Sequence, residues 1–298
     1  MINPNRELKA MELDPKFTGA RIGPYRIEVD QRQTKNYAAA VGDDNPFYFD
    51  DRRPEGLIAP PMLAVALTWP ISSKIGRYLQ VKDFPGEVLL TQVHYTERLD
   101  FHRLVRPGDL LVINGLIAGI LPHRSGTYCC LRYKAMDREN RPVFTEHIGA
   151  VFRDVSCRGE GIALDLPEDP QGDWRAGPVW SRKIQIDPML PYVYDACTDI
   201  VFAIHTSPAF AVGVGLPGII LQGTCTLALA ARELVNREAG GDPARLKTLS
   251  CRFTGMVRPG TAIEVELKSR SREDLFFEVI NQEGEKAVGK GYARIIPP

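Results

Sequence analysis

Residues 199–231 read DIVFAIHTSPAFAVGVGLPGIILQGTCTLALAA, and the rest of the chain is organised around this stretch. An acid, Asp199, stands six residues before an imidazole, His205. A turn rich in glycine and proline follows, and Gly223 then leads into an apolar segment. The spacing of apolar residues in that segment predicts a helix that ends at about residue 239.

The composition indicates a folded protein without an electrostatic attraction to polyanions. The chain has 298 residues, which is enough for one large domain or two ordinary ones. Apolar residues make up 44% and charged residues 25%, and Lys+Arg equals Asp+Glu at 37 each. A net charge of zero argues against non-specific binding to nucleic acid. The apolar run 59–71 is too short to span a bilayer and contains three prolines.

The six cysteines are scattered and form no CxxC pair. The first residues are charged and contain no apolar signal-peptide core. We therefore expect reduced cysteines in a cytoplasmic protein.

A repeat organises the chain. Asp199 lies 156 residues after Asp43, Gly215 lies 159 after Gly56, and Arg258 lies 152 after Arg106. The nearly constant offset indicates two copies of one unit. Each copy combines one apolar helix, predicted at 62–79 and 224–239, with several strands. The predicted strands are residues 87–95, 110–120, 127–135, 143–152, 263–268, 275–280 and 287–296.

The predicted fold class is α+β. A helix this apolar must be covered, and a strongly curved antiparallel sheet can cover it. Residues 1–156 form the first copy and 179–298 the second. Between them, residues 157–178 are rich in Gly, Pro and acidic residues, lack periodicity, and are interpreted as a linker. The helices leave sheet edges and flat faces uncovered, so we expect a homodimer.

The central stretch holds three parts that suit the addition of water to a double bond beside a carbonyl. Asp199 and His205 can hold and deprotonate a water. Backbone N–H groups near Gly223, at a helix start, can receive charge that develops on the carbonyl oxygen. The alternative interpretation is a helix-capping Asp, a core His and an ordinary turn glycine.

A duplicated helix wrapped by a curved sheet resembles the double hotdog fold. The order His205, Gly215-Leu216-Pro217 and Gly223-Thr224 is similar to that of the MaoC-like acyl dehydratases, the (R)-specific enoyl-CoA hydratase group. In the first copy, Gly42-Asp43-Asp44-Asn45-Pro46 resembles the companion domain of these proteins. The resemblance implies hydration of trans-2-enoyl thioesters or dehydration of 3-hydroxyacyl thioesters, on coenzyme A, without a metal or organic cofactor. It also implies that the first copy accommodates the acyl chain.

The motif departs from the family pattern in both copies. Ile200 stands at the family's Asp position, Phe202 at its Asn position, and Gln222 at its His position. Asp199 lies one place too early, so a one-residue bulge is needed to bring its carboxylate to the site. The first copy ends its motif in Tyr48 instead of His.

The sequence thus nominates two sets of residues. The predicted catalytic residues are Asp199, His205 and Gly223. The predicted substrate-binding residues are Phe202, Gln222, Thr224, Tyr48 and Asn45. Asp43, Asn45 and Tyr48 also suit an ordinary exposed turn. His94, His102, His123 and His147 lack metal spacing and are interpreted as structural or surface residues. Arg245, Lys247, Arg252 and Arg258 suit either the phosphates of coenzyme A or the plain surface.

Two other functions fit the same residues. Phe202 at the Asn position favours a hotdog protein that binds an acyl thioester, or a partner chain, without turning it over. A thioesterase, which uses a carboxylate or water at the carbonyl carbon, is the third interpretation.

Overall fold

The computed structural model of the chain describes residues 11–174 and 177–297. The helices are α1 (Gln31–Ala40), α2 (Pro46–Phe49), α3 (Leu63–Ser72), α4 (Ile75–Tyr78), α5 (Leu190–Thr198), α6 (Pro208–Gly213) and α7 (Gly223–Glu238). The strands are β1 (Glu12–Leu13), β2 (Arg21–Glu28), β3 (Gln92–Phe101), β4 (Leu110–His123), β5 (Gly126–Met136), β6 (Pro142–Arg153), β7 (Ser156–Cys157), β8 (Ile162–Ala163), β9 (Trp180–Gln185), β10 (Leu246–Phe253), β11 (Ala262–Arg270), β12 (Asp274–Ile280) and β13 (Lys286–Ile295). Short 3₁₀ turns occupy Pro15–Phe17, Gly86–Thr91, Ala203–His205 and Pro243–Arg245.

One large antiparallel sheet runs through both halves of the chain. Its strands follow the order β2-β4-β5-β6-β3-β10-β13-β12-β11-β9, and β8 pairs with β4. The two halves join where β3 pairs with β10, with Leu99 opposite Leu249. Both of these residues are fully buried, so the junction lies in the core and not at a flexible seam. The predicted α+β class is confirmed.

Helices α3 and α7 are the two apolar helices that this sheet covers. Leu63 and Leu67 of α3 are fully buried, as are Leu227 and Leu234 of α7. Helix α7 runs for 16 residues without interruption. By contrast, α3 contains Pro70 and ends at Ser72, because proline cannot donate the hydrogen bond that a helix interior requires. The chain then resumes as the short helix α4.

The internal repeat is visible in the structure. Tyr37 of α1 and Tyr194 of α5 lie 157 residues apart, and their buried hydroxyls meet at 2.8 Å where the two copies face each other. The turn glycines behave alike: Gly108 N–H donates to Val29 in the first copy, and Gly260 N–H donates to Ile186 in the second. Val29 and Ile186 are again 157 residues apart. The predicted duplication is therefore confirmed at the level of backbone contacts.

Residues 157–174 of the segment predicted as a linker lie as a strap on the sheet. Leu166 packs over Gly119 of β4, where an added Cβ would come within 3.0 Å of the leucine side chain. Further along, the Trp174 indole N–H donates to the Gly291 carbonyl at 3.2 Å and its ring meets Phe276 edge-on. The strap therefore touches both copies.

Three further observations concern membrane spans, metal sites and the cysteines. In the ranges 11–174 and 177–297, no helix is long and apolar enough to cross a membrane. Over the same ranges, no group of three or more His, Cys, Asp or Glu side chains is placed to hold a metal ion. All six cysteines are free, and four of them are buried.

Candidate active site

A cavity of about 490 Å³ lies between the two copies and receives side chains from both. The first copy contributes mainly apolar and aromatic groups, including Trp69, Phe84 and Phe152. The second copy contributes the segment that leads into α7, including His205 and Gly223. A largely apolar cavity of a few hundred Å³ with a few polar groups is the usual form of a small-molecule site.

His205 is fixed in one orientation at the wall of this cavity. It ends the 3₁₀ turn Ala203–His205, and its Nδ1 lies 2.8 Å from the Ile220 carbonyl oxygen. A carbonyl only accepts, so Nδ1 carries the proton and donates it to Ile220. Burial lowers the pKa of His205 to about 4, against the opposing effect of that hydrogen bond. The imidazole is therefore neutral at pH 7 and presents the lone pair of Nε2, as a general base requires.

The N-terminus of α7 opens onto the same cavity. Gln222, at the N-cap position, makes no side-chain cap hydrogen bond, although its Nε2 donates to the Pro191 carbonyl at 2.9 Å. The first N–H groups of a helix have no partner within the helix, and they carry partial positive charge. Gln222, Gly223 and Thr224 all line the cavity, so the first turn of α7 forms part of its wall.

Asp199 does not reach this cavity. It is exposed and takes the left-handed conformation at the end of α5, with φ of 56°. Gly42 has the same conformation at the end of α1, with φ of 59°. Asp199 and Gly42 are 157 residues apart. The next helical element starts at Pro46 in the first copy and at Ala203 in the second, which are also 157 residues apart, so the second copy has no inserted bulge between Asp199 and Ala203. Asp199 thus matches Gly42 and not Asp43, which corrects the alignment made from the sequence.

Ile200 occupies the place of the missing acid. It is buried and lines the cavity, whereas Asp199 is not among the described lining residues. One turn earlier in α5, the Asp195 carboxyl accepts a hydrogen bond from the Phe202 backbone. Burial raises the pKa of Asp195, and this carboxyl anchors the turn that leads to His205.

Phe202 lies at the mouth of the cavity and does not seal it. The side chain is 41% exposed, and its ring lies 6.2 Å from that of His205 and 6.2 Å from that of Phe210. Phe202 therefore forms part of an aromatic edge beside the imidazole.

The equivalent region of the first copy is closed. Asp43, Asn45 and Tyr48 are all buried, so the expectation of an exposed turn was wrong. The Asn45 amide donates to the Gly241 carbonyl at 2.7 Å, which ties the turn to the second copy. Burial raises the pKa of Asp43 to about 6 and that of Tyr48 well above its ordinary value. None of the three lines the 490 Å³ cavity in the described part of the chain.

Sequence patterns missed two polar residues of the cavity, Gln92 and His94 of β3. They come from the first copy, far from the motif in sequence, and only the β3–β10 pairing brings them to the second copy. The four cations considered for coenzyme A do not line the cavity. Two of them form ion pairs, Arg252 with Asp169 and Arg258 with Glu283.

Comparisons with known proteins match each copy to a dehydratase family model. Residues 183–290 match the family model described as MaoC like domain. Residues 16–146 match the model described as FAS1-like, dehydratase domain region. The two matched ranges fall on the two copies and leave residues 1–15, 147–182 and 291–298 unmatched.

Relatives and solved structures agree. The chain is 23% identical to the enoyl-CoA hydratase ChsH3 of Mycobacterium tuberculosis, over 94% of this chain and 96% of that one. It is 34% identical to the peroxisomal enoyl-CoA hydratase 2 of Arabidopsis thaliana, over 31% of this chain and 29% of that one. Several other relatives are likewise covered over less than a third of their length.

The fold is shared with a MaoC-like dehydratase from Phytophthora capsici. The TM-score is 0.82 at 22% identity, over 95% of this chain and 98% of that one. Another structural neighbour, from Mycobacterium tuberculosis, is described as a double hotdog fold. The second copy thus matches the MaoC-like domain, the first copy matches the FAS1-like dehydratase region, and the whole chain shares its fold with a MaoC-like dehydratase.

Proposed function

We propose that the chain is a hydro-lyase that adds water to trans-2-enoyl thioesters or removes it from 3-hydroxyacyl thioesters, with coenzyme A as the carrier. The observation that carries the proposal is the pairing of His205 with the start of α7. A neutral imidazole with a free Nε2 and an uncapped helix N-terminus line the same cavity. The relatives named as enoyl-CoA hydratases support the same reaction.

The residues divide the work as follows. The thioester oxygen approaches the N–H groups at Gly223, which polarise the carbonyl and draw electron density from the C2=C3 bond. His205 Nε2 takes a proton from water as its oxygen bonds to C3. The resulting imidazolium returns that proton to C2, so one water is added and nothing is oxidised or reduced.

We assign the acyl chain to the first copy. Its contribution to the cavity is mainly apolar, with Trp69, Phe84 and Phe152 in the wall that the first copy supplies. Burial of an acyl chain against such a wall is favourable at about 25 cal/mol per Å² of apolar surface. Residues 1–156 thus hold the acyl chain, and residues 179–298 supply the base and the helix N-terminus.

Crotonyl-CoA tests the proposal. The wild-type chain is mixed with it, and both the enoyl absorbance and free thiol are followed. Loss of absorbance without release of thiol is expected. His205→Ala should lower the rate by at least about 100-fold, the usual contribution of a general base, whereas exposed His102→Ala should not change it. An unchanged rate in His205→Ala would refute the assignment.

Binding without turnover is the second candidate. Ile200 lines the cavity where the family motif has an acid, which favours a protein that holds an acyl thioester but does not hydrate it. In that case neither absorbance nor thiol changes, while the thioester still binds.

A further inference from the structure

His94 presents a second imidazole to the cavity from the opposite copy. It lies on β3, lines the cavity, and places Nε2 at 3.1 Å from the Thr96 carbonyl oxygen. That nitrogen must carry the proton, because a carbonyl cannot donate. Nδ1 is therefore the nitrogen with the lone pair, and burial lowers the pKa of His94 to about 4, which keeps the ring neutral.

The two cavity histidines are thus built alike. His205 gives its Nδ1 proton to the Ile220 carbonyl and keeps Nε2 free, whereas His94 gives its Nε2 proton to Thr96 and keeps Nδ1 free. A backbone carbonyl fixes the tautomer in each case. Each imidazole that lines the cavity therefore keeps one nitrogen that can accept a hydrogen bond, as a water molecule needs.

A buried acid lies beside His94. Glu97 Oε2 lies 3.2 Å from His94 Nε2, and the Glu97 side chain is completely buried. Its carboxyl lies beside that of Glu146 on β6, which is also fully buried. Burial raises the pKa of both groups well above the ordinary value, which disfavours a negative charge beside the imidazole.

Phe253 links His94 to the start of α7. The two rings lie 4.7 Å apart between centroids, edge to face. The same Phe253 ring would come within 3.1 Å of a Cβ added at Gly223. His94 therefore flanks the ring that packs on the proposed carbonyl site.

The family motif uses an acid and a histidine, and this chain has replaced the acid by Ile200. We propose that His94 supplies the missing second acceptor, so that His94 and His205 together hold the reacting water. This inference rests on the proposed function. In the reaction, His205 takes one water proton and returns it to C2. His94 accepts a hydrogen bond from the other O–H, which stays on the product as the 3-hydroxyl.

Two variants of His94 test the proposal with crotonyl-CoA. His94→Leu removes the acceptor, and we expect kcat to fall by about 10²–10³ with KM changed less than about threefold. His94→Gln retains an amide oxygen as acceptor, and we expect it to recover at least about tenfold of that loss. Exposed His102→Leu is the matched control and should behave as wild type.

Each outcome bears on a different claim. A wild-type rate in His94→Leu, or a Gln variant no better than the Leu variant, would overturn the role of His94 and leave the hydratase standing. A wild-type chain that hydrates nothing would overturn both.

Discussion

Gly223→Ala separates catalysis from folding at the start of α7. A Cβ at this position would lie 3.1 and 3.2 Å from two ring carbons of Phe253, closer than the ordinary contact of about 3.5–4.0 Å between carbons. The ring, whose neighbour at 4.7 Å is His94, must then shift by a few tenths of an ångström. On the proposed mechanism, the new methyl and the displaced ring crowd the approach of a thioester oxygen to the backbone N–H.

We expect kcat for crotonyl-CoA to fall by about 10²–10³, equivalent to about 2.7–4 kcal/mol, as when one donor to a developing oxyanion is lost. Stability should be preserved, because Gly223 is helical and alanine is favoured over glycine in a helix by up to about 1 kcal/mol. The assay compares kcat and the melting temperature of the same preparations.

Gly218→Ala is the matched control. Gly218 lies in the same segment, its φ is not in the left-handed region, and an added Cβ meets no atom within 4 Å. Its kcat should stay within about twofold of wild type, as for other substitutions away from a site. If Gly223→Ala also kept the wild-type kcat, the N–H groups of α7 would not be the carbonyl site.

Three further predictions follow from the placement of single residues. Asp199→Gly should keep kcat within about threefold and raise the free energy of unfolding slightly, because glycine adopts a φ of 56° without strain. A 100-fold loss of activity would show that Asp199 takes part in the reaction. His205 must be neutral to act as a base, and burial lowers its pKa from 6.5 to about 4. We therefore expect kcat/KM to stay level as the pH falls through 6.5 and to reach half of its value near pH 4. A midpoint at pH 6.5 would contradict the burial of the imidazole. Tyr48→Phe should leave kcat unchanged within about twofold, since Tyr48 is buried away from the cavity; a larger loss would indicate a second site in the first copy.

The fold was largely predictable because its strongest signals are local. The apolar helix expected at 224–239 is α7 at Gly223–Glu238, and the strand expected at 275–280 is β12 at Asp274–Ile280. Elements whose pattern is weak were missed. Strand β2 was not among the predicted strands, and it contains a proline. Strand β10 was also missed, although it joins the two copies.

One strand was misplaced for a clear reason. The stretch 87–95 was predicted as a strand, but its first part is the 3₁₀ turn Gly86–Thr91 and β3 starts at Gln92. Short apolar runs do not distinguish a turn of helix from a strand. The prediction therefore placed His94 near the end of a strand, whereas it lies near the start of β3 and lines the cavity.

Only those cavity-lining residues that belong to the second copy were predicted from the sequence. His205, Gly223, Gln222, Thr224 and Phe202 line one cavity, because the turn and α7 are close in sequence. Asp199 was misaligned by one residue, because the sequence comparison paired it with the acid Asp43. The backbone conformation instead pairs Asp199 with Gly42. Homodimer formation and a cytoplasmic location remain predictions from the sequence.

Hydration in water labelled with ¹⁸O tests the central claim most directly. The wild-type chain is incubated with crotonyl-CoA, and the product is analysed by mass spectrometry. The account predicts an intact thioester with one ¹⁸O at C3 and no release of thiol, and loss of this product in His205→Ala. Free coenzyme A with ¹⁸O in the carboxylate of the acid would show a thioesterase instead, and unlabelled crotonyl-CoA would show a binding protein; either result would contradict the account.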